Sequence, residues 1–167
     1  RRPATTGHFT AGGDIAHRSS ERACGGTEWY CDAGVRHVAA AGYHTIGATT
    51  KTRHAQVACG AIAHWCIGGV QHVANPGHYT TGGTAQTRFG QRMCGLPQYF
   101  CTGGVRHAVL EGYASTGLDG TTRTGQEKCG SNAVICAAGV RRAVSEGHYS
   151  LGPTPETRTG EAACGGS

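Results

Sequence analysis

Nine cysteines and ten histidines are the residues of this 167-residue chain that could do chemistry. Thiolates and imidazoles bind zinc, but a structural zinc site gathers four ligands at close spacing such as Cys-x2-Cys. Here six residues separate even the nearest cysteines, such as Cys24 and Cys31. The spacing therefore predicts disulfides, no metal and no other cofactor, in an oxidising compartment that is extracellular or at the cell surface.

The carboxylates do not indicate an active site. Ten Asp and Glu residues are scattered along the chain, and no pair of them recurs beside a nucleophile. General acid–base and nucleophilic catalysis need such groups within hydrogen-bond reach of one another. We therefore predict that the protein is not an enzyme.

The cysteines show an internal repeat. The gaps between successive cysteines alternate between 7 and 28 residues, which gives a period of 35 residues without an insertion. This register holds for Cys24, Cys31, Cys59, Cys66, Cys94, Cys101, Cys129, Cys136 and Cys164. The predicted units are a partial repeat at 1–24, full repeats at 24–58, 59–93, 94–128 and 129–163, and the start of another at 164–167. The chain is eight residues short of five units, which we interpret as a cut from a longer array or as a subunit that meets its copies head to tail.

A unit of 35 residues is too small to fold by hydrophobic burial alone. Leucine occurs only four times, and aromatic residues make up 7% of the chain, so each unit needs cross-links and neighbours. Gly, Thr, Pro and Asn interrupt the sequence about every ten residues, a pattern typical of short strands and turns. We predict a mainly β and irregular fold of disulfide-stapled tandem 35-residue repeats that form an elongated array.

The valine spacing is compatible with one helical turn in each unit. Val35 and Val38 are three residues apart, whereas Val105 and Val109 are four apart. In a strand this shift moves the second valine to the other face, but in a helix both spacings share one face. Pro76 lies in the same window and disfavours a helix there. The small core of each unit is expected from aromatic or aliphatic pairs between cysteines, namely Trp29–Tyr30, His64–Trp65, Tyr99–Phe100 and Val134–Ile135.

Two disulfide pairings keep the repeat register. The short one joins Cys24 to Cys31, and the long one joins Cys31 to Cys59. Loop-closure entropy gives about 2.5 kcal/mol for the short loop and about 3.6 kcal/mol for the long one, a difference too small to decide. The hydrophobic pair just before the second cysteine favours the short pairing, because it can fold under the closed loop. The short pairing leaves Cys164 single, and the long one leaves Cys24 single.

The net charge of +5 comes mainly from arginines at two positions that recur every 35 residues, which we call slots. The first Arg slot holds Arg36, Gln71, Arg106 and Arg141, and the second holds Arg18, Arg53, Arg88, Arg123 and Arg158. Stripes of these arginines would suit sulfated or carboxylated glycans or a neighbouring filament strand. The alternative is that each Arg binds loop carbonyls inside its own unit. No concentrated basic patch indicates nucleic-acid binding, and the shared slot of His37, His72 and His107 predicts a solvated ladder.

A family resemblance lies in the segment Gly77-His78-Tyr79-Thr80-Thr81-Gly82-Gly83-Thr84, which continues through Arg88 and Gln91 to Cys94. This segment resembles the ephrin-receptor-like cysteine-rich repeats, relatives of the TNF-receptor and EGF-like modules, and the resemblance extends to every unit. It implies small, mostly β modules strung end to end in extracellular proteins, including filament and flagellar-hair components of single-celled eukaryotes. Family members place a cysteine where this chain has Ala39, Ala74, Val109 and Val144, so the disulfide scheme of the family does not transfer.

Threonines cluster after the Gly-Tyr or Gly-His of each unit. Clustered Thr with Pro and Gly in a secreted chain predicts O-linked sugar. The candidate sites are Thr45, Thr80, Thr81, Thr84, Ser115, Thr116, Ser150 and Thr154. No Asn-x-Ser/Thr sequon is present, so N-linked sugar is not expected.

Together these features predict a structural extracellular protein that builds a fibre or filament by association with itself. The alternative is a binding module, the repeat ectodomain of an adhesin or receptor that recognises a glycan or a protein. Besides copies of the chain itself, acidic glycans are partners that stripes of arginines would suit. No run of about 18 apolar residues occurs, so no membrane span is expected in this segment.

Overall fold

The structure, a computed structural model, describes residues 3–12, 18 and 20–165. These residues form eighteen strands of four residues each, paired in nine two-stranded sheets, with no helix among them. Disulfides recur at the 35-residue interval of the sequence repeat. The predicted fold class, a mainly β, disulfide-stapled tandem repeat, is confirmed.

One hairpin of each repeat, here called the threonine hairpin, has long loops between its strands. Its strands are β1 (His8–Ala11) and β2 (Ser20–Ala23), β5 (Tyr43–Ile46) and β6 (Ala55–Ala58), β9 (His78–Thr81) and β10 (Gly90–Met93), β13 (Tyr113–Thr116) and β14 (Gly125–Lys128), and β17 (His148–Leu151) and β18 (Gly160–Ala163). Thr and Ser in the first strand face Gln or Glu across the pair, as Thr45 faces Gln56 and Ser150 faces Glu161.

The other hairpin, here called the cysteine hairpin, carries the second cysteine of each disulfide. Its strands are β3 (Trp29–Asp32) and β4 (Val35–Val38), β7 (His64–Ile67) and β8 (Val70–Val73), β11 (Tyr99–Thr102) and β12 (Val105–Ala108), and β15 (Val134–Ala137) and β16 (Val140–Ala143). Each pair is antiparallel, and in the first of them Tyr30 lies opposite His37 and Cys31 lies opposite Arg36.

The turn of the cysteine hairpin explains one of the repeated glycines. Two residues connect the strands, and both have positive φ: 47° and 80° at Ala33 and Gly34, and 56° and 73° at Gly68 and Gly69. A two-residue hairpin loop of type I′ requires this backbone, because its twist matches that of the strands. The glycine before each valine therefore sets the hairpin register.

The helical turn that the valine spacing allowed is not formed. Val105 begins β12, which ends at Ala108, so Val109 lies just beyond the strand. The Val109 N–H donates to the Gln98 carbonyl at 2.8 Å and belongs to the following turn. Strand alternation does not apply to a residue in a turn, which is why the spacing of the second valine varies between repeats.

The cysteines form the interior of the repeats. Cys24, Cys59, Cys94 and Cys129 pair with Cys31, Cys66, Cys101 and Cys136, with Cα–Cα distances of 5.5 to 5.7 Å, so the structure has the short pairing. All eight are at most 3% exposed, whereas Cys164 is an exposed free thiol. Of the residue pairs expected to form the core, only Ile135 is fully buried, and the aromatic rings remain half-exposed. Cross-links take the place of a large apolar core here.

The chain divides into two compact units. The first comprises residues 1–74 and 80–91, and the second comprises residues 75–79 and 92–167. Both contain the same alternation of threonine and cysteine hairpins. No helix that could cross a membrane occurs in the described part of the chain.

Candidate functional site

The arginines of the second slot bind backbone carbonyl groups inside their own repeats. The Arg53 guanidinium donates to the Gly25 carbonyl, and the Arg88 guanidinium donates to the Gly60 carbonyl, both at 2.7 Å. Arg123 and Arg158 bind Gly95 and Gly130 in the same way. Arg53, Arg88 and Arg158 are at most 9% exposed. This slot therefore binds loop carbonyls within its own unit, the alternative that the sequence left open, and does not form a surface stripe.

The loop that carries this arginine also accepts hydrogen bonds from the backbone N–H groups of the disulfide-bonded cysteines. The Cys31 N–H donates to the Arg53 carbonyl at 3.0 Å, and the Cys24 N–H donates to the Thr50 carbonyl at 2.9 Å. The same two bonds recur at Cys66 and Cys59 in the next repeat. In these two repeats, both cysteines of the disulfide are therefore held by one loop of the following threonine hairpin.

A glycine at the start of four of the threonine hairpins packs against the next repeat. A Cβ built on Gly42, at φ +82°, would overlap the Gln86 carbonyl oxygen. Gly7, Gly77 and Gly112 make the same approach to Lys51, Thr121 and Glu156. Only glycine allows backbones this close at positive φ. The counterpart Gly147 is exposed and has no atom within 4 Å of such a Cβ.

Strand backbones also join successive repeats. The Thr45 N–H donates to the Gly69 carbonyl at 2.9 Å, and the Ser115 N–H donates to the Gly139 carbonyl at 2.9 Å. Each bond links the first strand of a threonine hairpin to the turn of the next cysteine hairpin. The junction between repeats thus consists of backbone groups that any further unit of this sequence pattern can supply.

The repeated Gln or Glu stabilises the turn before each threonine hairpin. Gln56 Oε1 accepts the Ala40 N–H at 2.8 Å, and Gln126 Oε1 accepts the Leu110 N–H at 2.8 Å. Glu161 accepts the Ser145 N–H at 2.7 Å, the Ser145 hydroxyl at 2.9 Å and the Arg142 guanidinium at 2.9 Å. These donors, the Ser145 N–H first, lower the pKa of Glu161 to about 2. The sequence shows that Gln or Glu recurs at this position, but it does not show that the side chain accepts hydrogen bonds from the turn.

The first Arg slot is different, because two of its guanidinium groups, those of Arg36 and Arg106, each contact two aromatic rings. Cζ of Arg36 is 4.3 Å from the centre of the Trp29 ring and 5.0 Å from that of Phe9. Cζ of Arg106 is 4.5 Å from the Tyr99 ring and 5.0 Å from the Tyr79 ring. Trp29 and Tyr99, two of the residues that were expected to form the core, thus each hold an arginine at the surface.

The two other repeats have no Phe, Tyr or Trp at the positions of these rings, and their slot residue makes a hydrogen bond or an ion pair instead. His44 and His64 occupy the ring positions around Gln71, whose side-chain amide donates to the Cys59 carbonyl at 2.7 Å. Ala114 and Val134 occupy them around Arg141, which forms an ion pair with Glu127 at 3.1 Å. Among the described residues of this slot, the arginines without an ion pair are therefore the two that contact two aromatic rings.

The predicted histidine ladder is a set of separate stacks. His37, His72 and His107 stack on Tyr30, Trp65 and Phe100 across their own hairpins, with ring centres 4.4 to 5.1 Å apart. In the described residues, no group of three or more His, Cys, Asp or Glu is placed to hold a metal ion. These histidines therefore stiffen the cysteine hairpins.

The eight glycosylation candidates differ in accessibility. Thr80 is only 8% exposed and its hydroxyl donates to the Ile62 carbonyl at 2.7 Å, while Thr45 donates to Thr27 at 2.9 Å. Thr81, Ser115, Thr116 and Ser150 are half-buried in strands. Thr84 and Thr154 are exposed in loops, where their hydroxyls pair with those of Thr87 and Thr157. Thr49 and Thr52 form the same exposed pair, which the Thr-x-x-Thr spacing could have identified.

One loop carries an acid in place of this threonine. Asp119 Oδ1 accepts the Thr121 hydroxyl at 2.7 Å and the Thr121 N–H at 2.8 Å, and these bonds lower the pKa of the Asp119 carboxyl. In a separate contact, Lys128 forms an ion pair with Glu156, which raises the pKa of Lys128 and lowers that of Glu156. Both features order exposed loops and gather no reactive group.

Comparison of the chain with protein-family models, with curated proteins and with solved structures finds no match. The resemblance to ephrin-receptor-like repeats therefore stays a prediction from the repeated motif.

Proposed function

We propose that the protein is a structural extracellular repeat protein that builds a fibre or filament from copies of its own unit. The observation that carries this proposal is the recurrence of one junction, in which Gly7, Gly42, Gly77 and Gly112 each pack on the loop backbone of the following repeat. Arrays that repeat one neighbour interface are extended by adding units, without a new kind of contact.

Open and complementary surfaces support head-to-tail assembly. Gly147 is exposed where its four counterparts are buried, and Arg18 is exposed where Arg53, Arg88 and Arg158 are buried. A loop of a second copy would pack on Gly147 as a loop of the following repeat packs on Gly42, and Arg18 of that copy would be buried in the contact. Heterologous contacts of this kind produce open filaments when they do not close into a ring.

The disulfides and the threonine loops support an extracellular site of action. Four disulfides indicate an oxidising environment. O-linked sugars would be carried on the exposed Thr84 and Thr154 rather than on the buried Thr80. An intact mass equal to that of the bare polypeptide, after correction for disulfides, would refute the glycosylation.

Electron microscopy of native material tests the assembly. We expect long ordered fibres whose repeat distance matches an integral number of 35-residue units. For the recombinant chain with the C164S change, which prevents intermolecular disulfides, we expect sedimentation that increases with concentration. R18E should weaken this self-association, and R22E, which changes another exposed arginine of the same hairpin, should not.

A binding module, such as the ectodomain of an adhesin or receptor, is the second candidate. The exposed arginines Arg36 and Arg106 favour it. Native material that remains monodisperse and captures a glycan or protein would favour this candidate over the filament.

A further inference from the structure

We propose that Arg36 and Arg106 are each a binding site for the carboxylate of an acidic sugar, such as a uronate residue in a polysaccharide. The proposal goes beyond assembly and gives the second candidate function a specific site. Arg36 belongs to the first compact unit and Arg106 to the second, and each site is complete by itself.

Both guanidinium groups are held in position before any ligand arrives. Trp29 and Phe9 lie within 5.0 Å of the Arg36 Cζ, and Tyr99 and Tyr79 lie within 5.0 Å of the Arg106 Cζ. Guanidinium is planar and weakly hydrated, so it stacks well on aromatic faces. Stacking restricts the rotation of the long side chain, so a ligand need not order it on binding.

Within the part of the chain that the structure describes, the N–H groups of these two arginines make no hydrogen bond. Neither side chain has a hydrogen-bond acceptor or an ion-pair partner among the described residues, and both arginines are exposed. Arg141 shows the contrast, because it lacks the rings and uses its donors on Glu127 and on the Lys128 carbonyl. Aromatic stacking therefore holds the guanidinium without consuming its hydrogen-bonding capacity.

The position of the rings selects the ligand chemistry. Contact with two rings takes up part of the guanidinium faces, whereas the N–H groups at its edge form a planar fork. A carboxylate fits this fork with two parallel hydrogen bonds in one plane. The half-exposed Trp29 and Tyr99 beside the fork can contact the apolar C–H groups of a sugar ring that carries the carboxylate. A sugar acid uses both features, whereas an acidic peptide side chain uses only the fork.

Calorimetry of the C164S chain with trigalacturonate at low ionic strength tests the proposal. We expect two sites per chain, and R36Q/R106Q should weaken binding by at least about tenfold through loss of the charged bidentate bonds. R22Q/R92Q is the matched control, because it removes the same net charge from two exposed arginines that lack aromatic partners. Its affinity should stay within about twofold of the parent, since only long-range attraction changes.

Two further variants separate a specific site from general charge. R36K/R106K keeps the charge but loses the planar fork, so it should bind as poorly as the Gln variant. H44Y/H64Y/Q71R installs the missing arrangement in the second repeat and should raise the stoichiometry from two to three. Equal losses in R22Q/R92Q and R36Q/R106Q, or full binding by the Lys variant, would overturn the site.

The choice of ligand class has its own controls. Oligoglutamate of equal charge should bind at least about tenfold more weakly than trigalacturonate, because it offers no sugar face to the rings. Tighter binding of oligoglutamate, or of a sulfated dextran oligosaccharide, would overturn the assignment to a sugar carboxylate. Because the C164S chain is tested as dilute monomer, these results do not depend on whether native material forms filaments.

Discussion

The Arg88 guanidinium donates a hydrogen bond to the Gly60 carbonyl, 28 residues earlier, at 2.7 Å, while the Arg88 carbonyl accepts the Cys66 N–H at 2.9 Å. One residue thus holds the loop of the threonine hairpin to both ends of the segment between Cys59 and Cys66. The same arrangement recurs with Arg53, Arg123 and Arg158. In a protein with so little apolar core, this buried arginine has the role that a large aliphatic side chain has elsewhere.

Replacement of Arg88 by alanine should destabilise the protein by about 2 kcal/mol or more. A charged hydrogen bond is lost, and the Gly60 carbonyl loses its hydrogen-bond donor. Urea denaturation followed by circular dichroism measures the effect. R18A is the matched control, since Arg18 occupies the same slot but is exposed, and it should change the free energy of unfolding by less than about 0.5 kcal/mol. Equal effects of the two changes would contradict a structural role for the buried bond.

Gly42 tests the junction between repeats. G42A places a Cβ on the Gln86 carbonyl oxygen, so the two repeats must separate locally. G147A is the control, because Gly147 has a similar φ of +73° but no atom near its Cβ. Both changes strain the backbone by about 1 kcal/mol, and G42A should cost at least about 2 kcal/mol more through overpacking. Similar melting temperatures for the two variants would show that the close approach contributes little to stability.

The repeat and its disulfides could be predicted from the sequence because they depend on the spacing of the cysteines along the chain. Regular cysteine spacing indicated the 35-residue unit, and the apolar pair before Cys31 favoured the short loop that the structure has. Likewise, the charge repeated at Arg53 predicts either a surface stripe or a bond to a loop carbonyl of the same unit, and the structure has the bond. In each case the partner lies within the same 35 residues, so the pattern limited the choices.

The sequence could not predict the contacts that depend on which face of a strand is covered by a neighbouring element. Trp29 and Tyr30 were expected to fill a core, yet one ring covers Arg36 and the other stacks on His37. From the sequence, Thr80 and Thr84 were equal candidates for O-linked sugar, but in the structure the Thr80 hydroxyl donates to the Ile62 carbonyl. Strand alternation separates such neighbours, but the sequence does not show which face the next repeat covers.

The disulfides should stabilise each repeat independently of the others. C59S/C66S removes one short loop and should lower the free energy of unfolding by about 2.5 kcal/mol, the chain-entropy value for a loop of this length. The native chain should also react with iodoacetamide at one cysteine, Cys164, because the other eight are paired. Mass spectrometry of the alkylated chain before and after reduction counts these thiols. Labelling at Cys59 or Cys66 without reductant would contradict the pairing.

Glu161 should make the stability of its repeat depend on pH in the acid range. Its carboxylate accepts bonds from the Ser145 N–H, the Arg142 guanidinium and the Ser145 hydroxyl, which lower its pKa from 4.5 to about 2. A carboxyl whose pKa is lower in the folded state binds protons more readily when unfolded, so its contribution is present above pH 4.5. That contribution is lost as the pH falls from about 4.5 through about 2.

The E161Q variant isolates this effect without removing the turn acceptor. Gln56 and Gln126 show that an amide in this slot still accepts the backbone N–H at 2.8 Å. The variant should therefore fold, but its melting temperature should change less than that of the parent between pH 5 and about pH 2, because the titrating group is gone. E146Q, at an exposed position, should retain the pH dependence of the parent. Parallel pH profiles for the parent and E161Q would exclude Glu161 as the source of the acid sensitivity.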